Sequence, residues 1–166
     1  MKVLVFSDTH HRTDLVVQAL QEHRATTDLI LHLGDCCYDV ALFRQLSPEL
    51  ACVAVSGNCD PYPTADFPAE TVVPFGVGGF RAFLCHGHRY GADDSTDVLY
   101  AKGRSLKVNA VLFGHTHVAH IEERGGILLF NPGSASLPRG GEPPSYGVLT
   151  IDEHGILPFI RYQQNN

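Results

Sequence analysis

The sequence predicts one mixed α/β domain in which helices flank two sheets. Three observations lead there. The chain has 166 residues, which fits a single domain over 1–166. Up to about residue 117, short runs rich in Val, Ile, Leu and Phe alternate with helical patterns, as in βαβ units with a largely parallel sheet. Beyond that point the pattern changes to hairpin-like strands punctuated by Gly and Pro. Apolar residues make up 44% and charged residues 18%, a globular rather than a disordered composition.

The strand-like runs, in order, are Val3-Leu4-Val5-Phe6, Leu29-Ile30-Leu31-His32-Leu33, Val53-Ala54-Val55, Phe80-Arg81-Ala82-Phe83-Leu84-Cys85 and Ala110-Val111-Leu112-Phe113. Each is short, apolar and bounded by turn residues, which marks buried strands. A helix after the first run has Leu15, Val16, Ala19 and Leu20 on one face, with Thr13 or Asp14 available as cap. A second helix, capped by Asp39, carries Leu42, Phe43 and Leu46. A third spans about 95–106, starting at Ser95, Thr96 or Asp97, with Val98, Leu99 and Leu106 as its apolar set. Residues 118–123 and 127–130 form a hairpin about the turn 124–126. The Pro- and Gly-rich segment 131–145 is an ordered loop, and 146–151 and 156–160 are two further strands about the turn 152–155.

Net charge is −6, which argues against a nucleic-acid binder, since that needs a basic footprint. No apolar run is long enough to cross a bilayer, and the opening Met1 to Asp8 has no signal-peptide character, so a cytoplasmic location is expected. The five cysteines contain no Cys-x-x-Cys pair and read as free thiols.

The chemistry lies where the runs end. They lead into Ser7-Asp8-Thr9-His10, Gly34-Asp35, Ser56-Gly57-Asn58-Cys59-Asp60, His86-Gly87-His88 and Gly114-His115-Thr116-His117. In sheets of this kind, ligands gather beyond the carboxyl ends of the strands, so one shared site is expected. Taken singly, Asp8-Thr9-His10 reads as a polar turn or cap and Gly57-Asn58 as a common turn dipeptide; it is their joint order that argues for a site. The candidate ligands Asp8, His10, Asp35, Asn58, His86, His115 and His117 comprise two aspartates, one asparagine and four histidines. That mixture suits Mn, Fe, Zn, Co or Ni, while the imidazoles argue against a pure Mg or Ca site. The set is larger than one ion with an open position uses, and two ions sharing a carboxylate would account for it. His11, His23, His32, His120 and His154 read as surface or satisfied core histidines.

Together, Asp8-x-His10, Gly34-Asp35, Gly57-Asn58-x-Asp60, His86 and Gly114-His115-x-His117 resemble the motifs of the calcineurin-like metallophosphoesterase superfamily. The short length, His86-Gly87-His88 and Asn131-Pro132-Gly133-Ser134 are similar to its small single-domain bacterial and archaeal phosphodiesterase branch. The resemblance covers about residues 2–150 and implies a four-layer α/β/β/α sandwich of two mixed sheets, with a dinuclear metal site at the strand carboxyl ends.

It implies that Asp8, His10 and His117 hold one divalent transition-metal ion and Asn58, His86 and His115 a second, with Asp35 bridging; Mn²⁺ leads, with Fe, Zn, Ni and Co as alternatives. It further implies hydrolysis of a small phosphate ester, most simply a diester, by a metal-bridging hydroxide. No protein nucleophile is expected: the chain has neither a Gly-x-Ser-x-Gly elbow nor a Walker loop.

Phosphatases of the superfamily often carry His directly after the motif Asn. Here that residue is Cys59, a usual substitution within the small branch, which leaves Asp60 or His88 to assist the leaving group. His88 is expected beside the ligands rather than among them; Cys36, Cys59 and Cys85 are expected to be packing or wall residues. His11 stands where many relatives carry Gly. The alternatives are a non-catalytic scaffold of the same fold, which would not need all the ligands, and a nuclease, which the acidic balance disfavours. No stable nucleic-acid or membrane partner is expected, and a homo-oligomer is left open.

Overall fold

Near-continuous apolar strands are what a sheet buried on both faces requires. Successive side chains on a strand point to opposite faces, so each such run must feed two cores. The computed structural model, which describes residues 1–164, shows this sorting. Its strands are β1 Lys2–Phe6, β2 Leu29–His32, β3 Ala51–Ala54, β4 Glu70–Pro74, β5 Arg81–Cys85, β6 Ala110–Leu112, β7 Ala119–Arg124, β8 Ile127–Pro132, β9 Ser145–Ile151 and β10 Ile156–Tyr162. Its helices are α1 Asp14–His23, α2 Val40–Leu46 and α3 Asp97–Leu106.

The strands form two five-stranded sheets, ordered β10-β9-β1-β2-β3 and β4-β5-β6-β8-β7. Val3, Val5, Leu31, Leu84, Leu112 and Phe130 meet in the core between the sheets. Their alternates on the first sheet, Leu4, Phe6 and Ile30, pack against α1 and α2. Phe83, Val111 and Leu129 on the second pack against α3. The result is the expected α/β/β/α sandwich of two mixed sheets. The parallel character is confined to β1-β2-β3 and β5-β6-β8, since β9, β4 and β7 add antiparallel partners.

Several local expectations differ from the structure. Strand β4 was not expected; Val72 and Val73 between Thr71 and Pro74 make too short a run to signal it, and it lies at a sheet edge with only Val73 buried. Strand β5 begins at Arg81, because Phe80 closes the preceding turn by accepting the Phe75 N–H. Thr13, Asp39 and Thr96 precede α1, α2 and α3 without a capping side-chain hydrogen bond; of the expected starts only Ser95 makes one, its Oγ accepting the Asp97 N–H at 3.3 Å. Asp39 instead accepts the Thr9 hydroxyl at 2.6 Å, and Thr96 donates to Glu122. Helix α3 buries Leu99 and Gly103, while Val98 is exposed. A Cβ on Gly103 would press on Val111 at 2.7 Å, so a missing side chain is what brings α3 onto the sheet. The β7–β8 turn is Gly125-Gly126, both at positive φ, as a two-residue hairpin turn of this kind needs. No helix among the described residues is long and apolar enough to cross a membrane.

Candidate metal centre

Strands β1, β2, β3, β5 and β6 all deliver their carboxyl ends to one edge of the sandwich, which is why motifs far apart in sequence converge. The connecting loops interlock there. The Asp8 N–H donates to the Gly34 carbonyl at 3.0 Å, the His115 N–H to Asp8 Oδ2 at 3.1 Å, and the Cys59 N–H to Asp35 Oδ1 at 2.9 Å. Glycines permit this approach. A Cβ on Gly57 would collide with Asp35, and one on Gly114 with Ser7 and Asp8. The non-glycine residues at positive φ are Asp8, His10, His11, Asp35, Cys36, Lys107, His115 and His117; all but Lys107 lie at this edge. Backbone strain of this sort is typical of functional sites and is held in place by the surrounding structure.

Asp8, His10, Asp35 and His117 each offer a donor atom within 4.8 Å of the others. His117 Nε2 stands 3.2 Å from Asp8 Oδ1, His10 Nε2 stands 3.6 Å from Asp35 Oδ2, and the two Nε2 atoms are 3.4 Å apart. His86 Nε2 joins from the second sheet, 3.3 Å from Asp35 Oδ1 and 3.9 Å from Asp8 Oδ1. The Nδ1 atoms of His86 and His117 face the carbonyls of Leu33 at 2.7 Å and Leu137 at 2.6 Å. A carbonyl only accepts, so each ring donates through Nδ1–H and, when neutral, turns an Nε2 lone pair inward, the arrangement metal-binding histidines adopt.

Asp8 Oδ1 and His86 Nε2 are buried and lack a hydrogen-bond partner among the described residues. Buried polar atoms are costly when unsatisfied, and a convergent carboxylate oxygen and imidazole nitrogen are what a divalent cation takes up. The donor set therefore fits a metal. The electrostatics agree. Burial would raise the Asp8 carboxyl, yet His117, His86 and Ser7 together hold it below the ordinary carboxylate range. Burial opposes the charging of Asp35 too, and His86 with the Cys59 amide overrides it. Burial lowers His86, but its close approach to Asp35 and the fields of both aspartates raise it overall.

The remaining candidates are less tightly gathered. His115 directs Nε2 outward to Asp93 Oδ2 at 2.8 Å, leaving Nδ1 as its other donor, and its ring lies 5.2 Å from that of His86. Asn58 is exposed, with Nδ2 only 3.5 Å from Cys59 Sγ. His88 packs beside the site with its ring 5.4 Å from His86 and its Nδ1 buried and without a hydrogen-bond partner among the described residues. Asp60 spends its carboxylate on backbone: Oδ1 accepts the Cys36 and Cys37 amides at 2.8 and 2.9 Å, and Oδ2 accepts Gly57 at 2.7 Å. Cys59 is exposed, and partial burial followed by the negative charge of Asp35 pushes its thiol up to about 11. Cys36 and Cys85 are buried in the walls. His11 is exposed and pairs with Asp39 at 3.3 Å; with Cys36 they form a second donor group, but the Thr9 hydroxyl and His11 amide already occupy Asp39 Oδ2.

Sequence reasoning missed the supports. Thr9 donates to Asp39, so it accepts from His32 Nε2–H at 3.1 Å, while His32 Nδ1 accepts the Gly34 amide at 3.2 Å. His32 is thus a neutral staple between the first two loops. The segment 131–145 expected as a loop is narrower, since Asn131 and Pro132 end β8 and Ser145 opens β9. There Asn131 Nδ2 donates to the Gly114 carbonyl at 2.8 Å, and the Ser134 and Ser136 hydroxyls both donate to the Asp8 carbonyl. The Asn131-Pro132-Gly133-Ser134 motif was the available signal, and its work is to hold ligand loops.

Comparison with known proteins agrees with this arrangement. A family model described as the calcineurin-like phosphoesterase superfamily domain matches residues 1–154. The chain is 33% identical over 153 residues to the Bacillus subtilis protein named "Probable metallophosphoesterase YsnB", covering 92% of this chain and 85% of that one. It is 39% identical over 114 residues to "Phosphodiesterase YfcE" of Escherichia coli, a match spanning 63% of this chain and 55% of that protein. The solved YfcE structure superimposes with a TM-score of 0.65 at 27% identity, covering 95% of this chain and 97% of that one. A single mutant of Vps29 from Entamoeba histolytica superimposes with a TM-score of 0.74 at 25% identity, covering 99% of this chain and 100% of that one.

Proposed function

The chain belongs to the calcineurin-like phosphoesterase superfamily, and from that premise we propose that it hydrolyses small phosphodiesters with the help of two divalent transition-metal ions. The observation that carries the reading is the convergence of Asp8 Oδ1 and His86 Nε2, buried and unpartnered, on the cluster of His10, Asp35 and His117. We assign Asp8, His10 and His117 to one ion, Asn58, His86 and His115 to the other, and Asp35 to both. The mixed imidazole and carboxylate donors favour a transition-metal ion over Mg²⁺; among such ions the family resemblance, rather than the donor set, puts Mn²⁺ ahead of Fe, Zn, Ni or Co. When bound, the ions supply the Lewis acidity that activates water and offsets charge developing on the phosphoryl oxygens.

The chain's own residues set the geometry and limit the proton chemistry. The carbonyls of Leu33 and Leu137 orient the His86 and His117 rings. None of the three residues expected to assist the leaving group is a strong acid as placed: Asp60 is committed to backbone amides, the Cys59 thiol is pushed up to about 11, and burial followed by the field of His86 lowers His88. A general acid typically contributes 10²–10⁴-fold to a step of this kind. Aryl esters, which leave without protonation, should therefore react much faster than alkyl esters. A diester also brings a single negative charge to a chain of net charge −6.

The looser gathering of Asn58 and His115 favours one other reading, a scaffold that binds metal without turnover. Elemental analysis and assays with bis(4-nitrophenyl) phosphate and 4-nitrophenyl phosphate separate the two. The expected result is close to two metal ions per chain, activity lost on chelation and regained better with Mn²⁺ than Mg²⁺, and loss of more than a hundredfold in Asp35→Asn. A fully active metal-free protein would overturn the mechanism, and a metal-loaded but inert one would establish the scaffold.

A further inference from the structure

A hollow of about 430 Å³ opens beside the metal centre on the His115 side, and its walls are of a different kind from the site itself. Ala92, Phe113 and Val118 make its apolar surface, and Asp93, Thr116 and His120 stand around it. Asp93 is its one charged lining residue, and that carboxylate is already engaged by His115. The polar groups at the back are likewise paired: Thr96 donates to Glu122 at 2.9 Å, and His120 Nε2 lies 3.3 Å from the same carboxylate. A cavity of such volume, mainly apolar and without an unpaired charge, suits a neutral ring rather than a second phosphate or a cation. The Phe113 and His120 rings, 6.2 Å apart and inclined at 56°, give it aromatic walls.

The hollow adjoins the site through two of its lining residues. Thr116 lines it and sits between His115 and His117 in sequence, while Asp93 lines it and touches His115. Thr116 is fixed in place by Asn131 Nδ2 at 3.1 Å. The molecule also has a cavity of about 390 Å³, lined in part by Phe80, Asn109, Leu128 and His154, but this lies at the amino ends of β5, β6 and β8, away from the metal-binding edge.

We propose that the hollow formed by Ala92, Phe113, Val118 and His120 receives the second ester substituent of the substrate, and that this substituent is an aromatic ring. The inference rests on the phosphodiesterase reading and narrows it, since a monoester has no second substituent to place there. The ring would lie against Phe113 and Val118 while the phosphate remains at the metal ligands. One well-placed apolar contact discriminates by roughly 10-fold or more, so a diaryl ester should outbind a dialkyl ester by about that factor.

The test uses two readouts. Binding of diphenyl phosphate and dimethyl phosphate to zinc-loaded protein is followed by NMR titration, which needs no turnover. Steady-state kinetics with bis(4-nitrophenyl) phosphate and methyl 4-nitrophenyl phosphate, which share a leaving group, are measured with Mn²⁺. The expected result is about tenfold tighter binding of diphenyl phosphate, with shifts at Ala92, Val118 and His120, and a lower KM for the diaryl substrate. In Val118→Asn the ratio of the two affinities should fall toward one. Equal affinities in the unmodified protein, or no shifts at Ala92 and Val118, would overturn the hollow as a subsite whatever the variant does. Preferential binding there with neither diester turned over would leave the subsite standing and overturn the phosphodiesterase reading instead.

Discussion

Cys59 and Asp60 are neighbours in sequence with different duties, and the difference is testable one side chain at a time. Asp60 accepts three backbone N–H groups from the loops that carry Asp35 and Asn58, so it acts as a fastener. Asp60→Asn should cost about 1.5–3 kcal/mol, the range for hydrogen bonds to a charged group, and should slow aryl and alkyl esters by the same factor. A selective loss on alkyl esters, whose leaving groups need a proton, would instead make Asp60 the acid. Cys59 is exposed at the position where many phosphatases of the superfamily carry His. With its thiol pushed up to about 11 by burial and Asp35, it is a poor proton donor to a leaving oxygen. Cys59→His should raise monoesterase relative to diesterase activity at equal metal loading. If the unmodified protein is already faster on monoesters, Cys59 does not limit the chemistry.

At the scale of elements, legibility follows burial. Strands β1, β2, β5 and β6 serve two cores each, so their sequences are unbroken apolar runs and their positions could be read directly. Strand β4 pairs on one side only and buries little beyond Val73, so it left no pattern to read. The caps at Asp39 and Thr96 were misread because both residues have tertiary partners, and sequence spacing cannot show such contacts. His32 is the clearest case of an element-level device. It ends β2, is wholly buried, and ties Thr9 of the first loop to Gly34 of the second. Burial chiefly lowers its pKa from the usual 6.5 to about 4. Between those values the unfolded chain binds a proton that the folded chain refuses, so stability rises with pH across the interval. The contribution is complete above about 6.5 and is lost as pH falls toward 4, worth roughly 3 kcal/mol at most. Metal-free protein should therefore lose thermal stability between pH 6.5 and 4. His32→Gln should be less stable at pH 7 but show a shallower slope. Parallel curves for the two proteins would mean that His32 is not the titrating group.

On the scale of the whole molecule, the site is a joint between two sheets, and this explains which part of it the sequence revealed. The identities of the candidate ligands were legible because each follows a short apolar run, even where the strand is a half-exposed edge such as β3, and parallel strands end on one side. That they share one site was expected from the strand ends, but how tightly each is held was not legible, because it depends on contacts such as His86 with Leu33 and His115 with Asp8 that cross from one sheet to the other. The same joint makes metal binding a stability effect. Asp8 and Asp35 stay ionised through burial only with help from His86 and His117, so the metal-free edge holds charge that a cation would neutralise better. An ion that binds only the folded chain adds about 2.7 kcal/mol at a concentration a hundredfold above its Kd. For a chain of this size each kcal/mol moves Tm by about 2–4 °C, so one filled position should raise Tm by about 5–10 °C and two by about twice that. Mn²⁺ should give the larger rise and Mg²⁺ a smaller one, since the histidines are poor partners for the harder ion. Titration followed by calorimetry should resolve two steps, the tighter one assigned to Asp8, His10 and His117, which are already gathered. His10→Ala should remove that step, Asn58→Ala should remove only the weaker one, and Asp35→Ala should weaken both. A single step left intact by Asn58→Ala would reduce the centre to one ion and return Asn58 to the turn dipeptide it resembles.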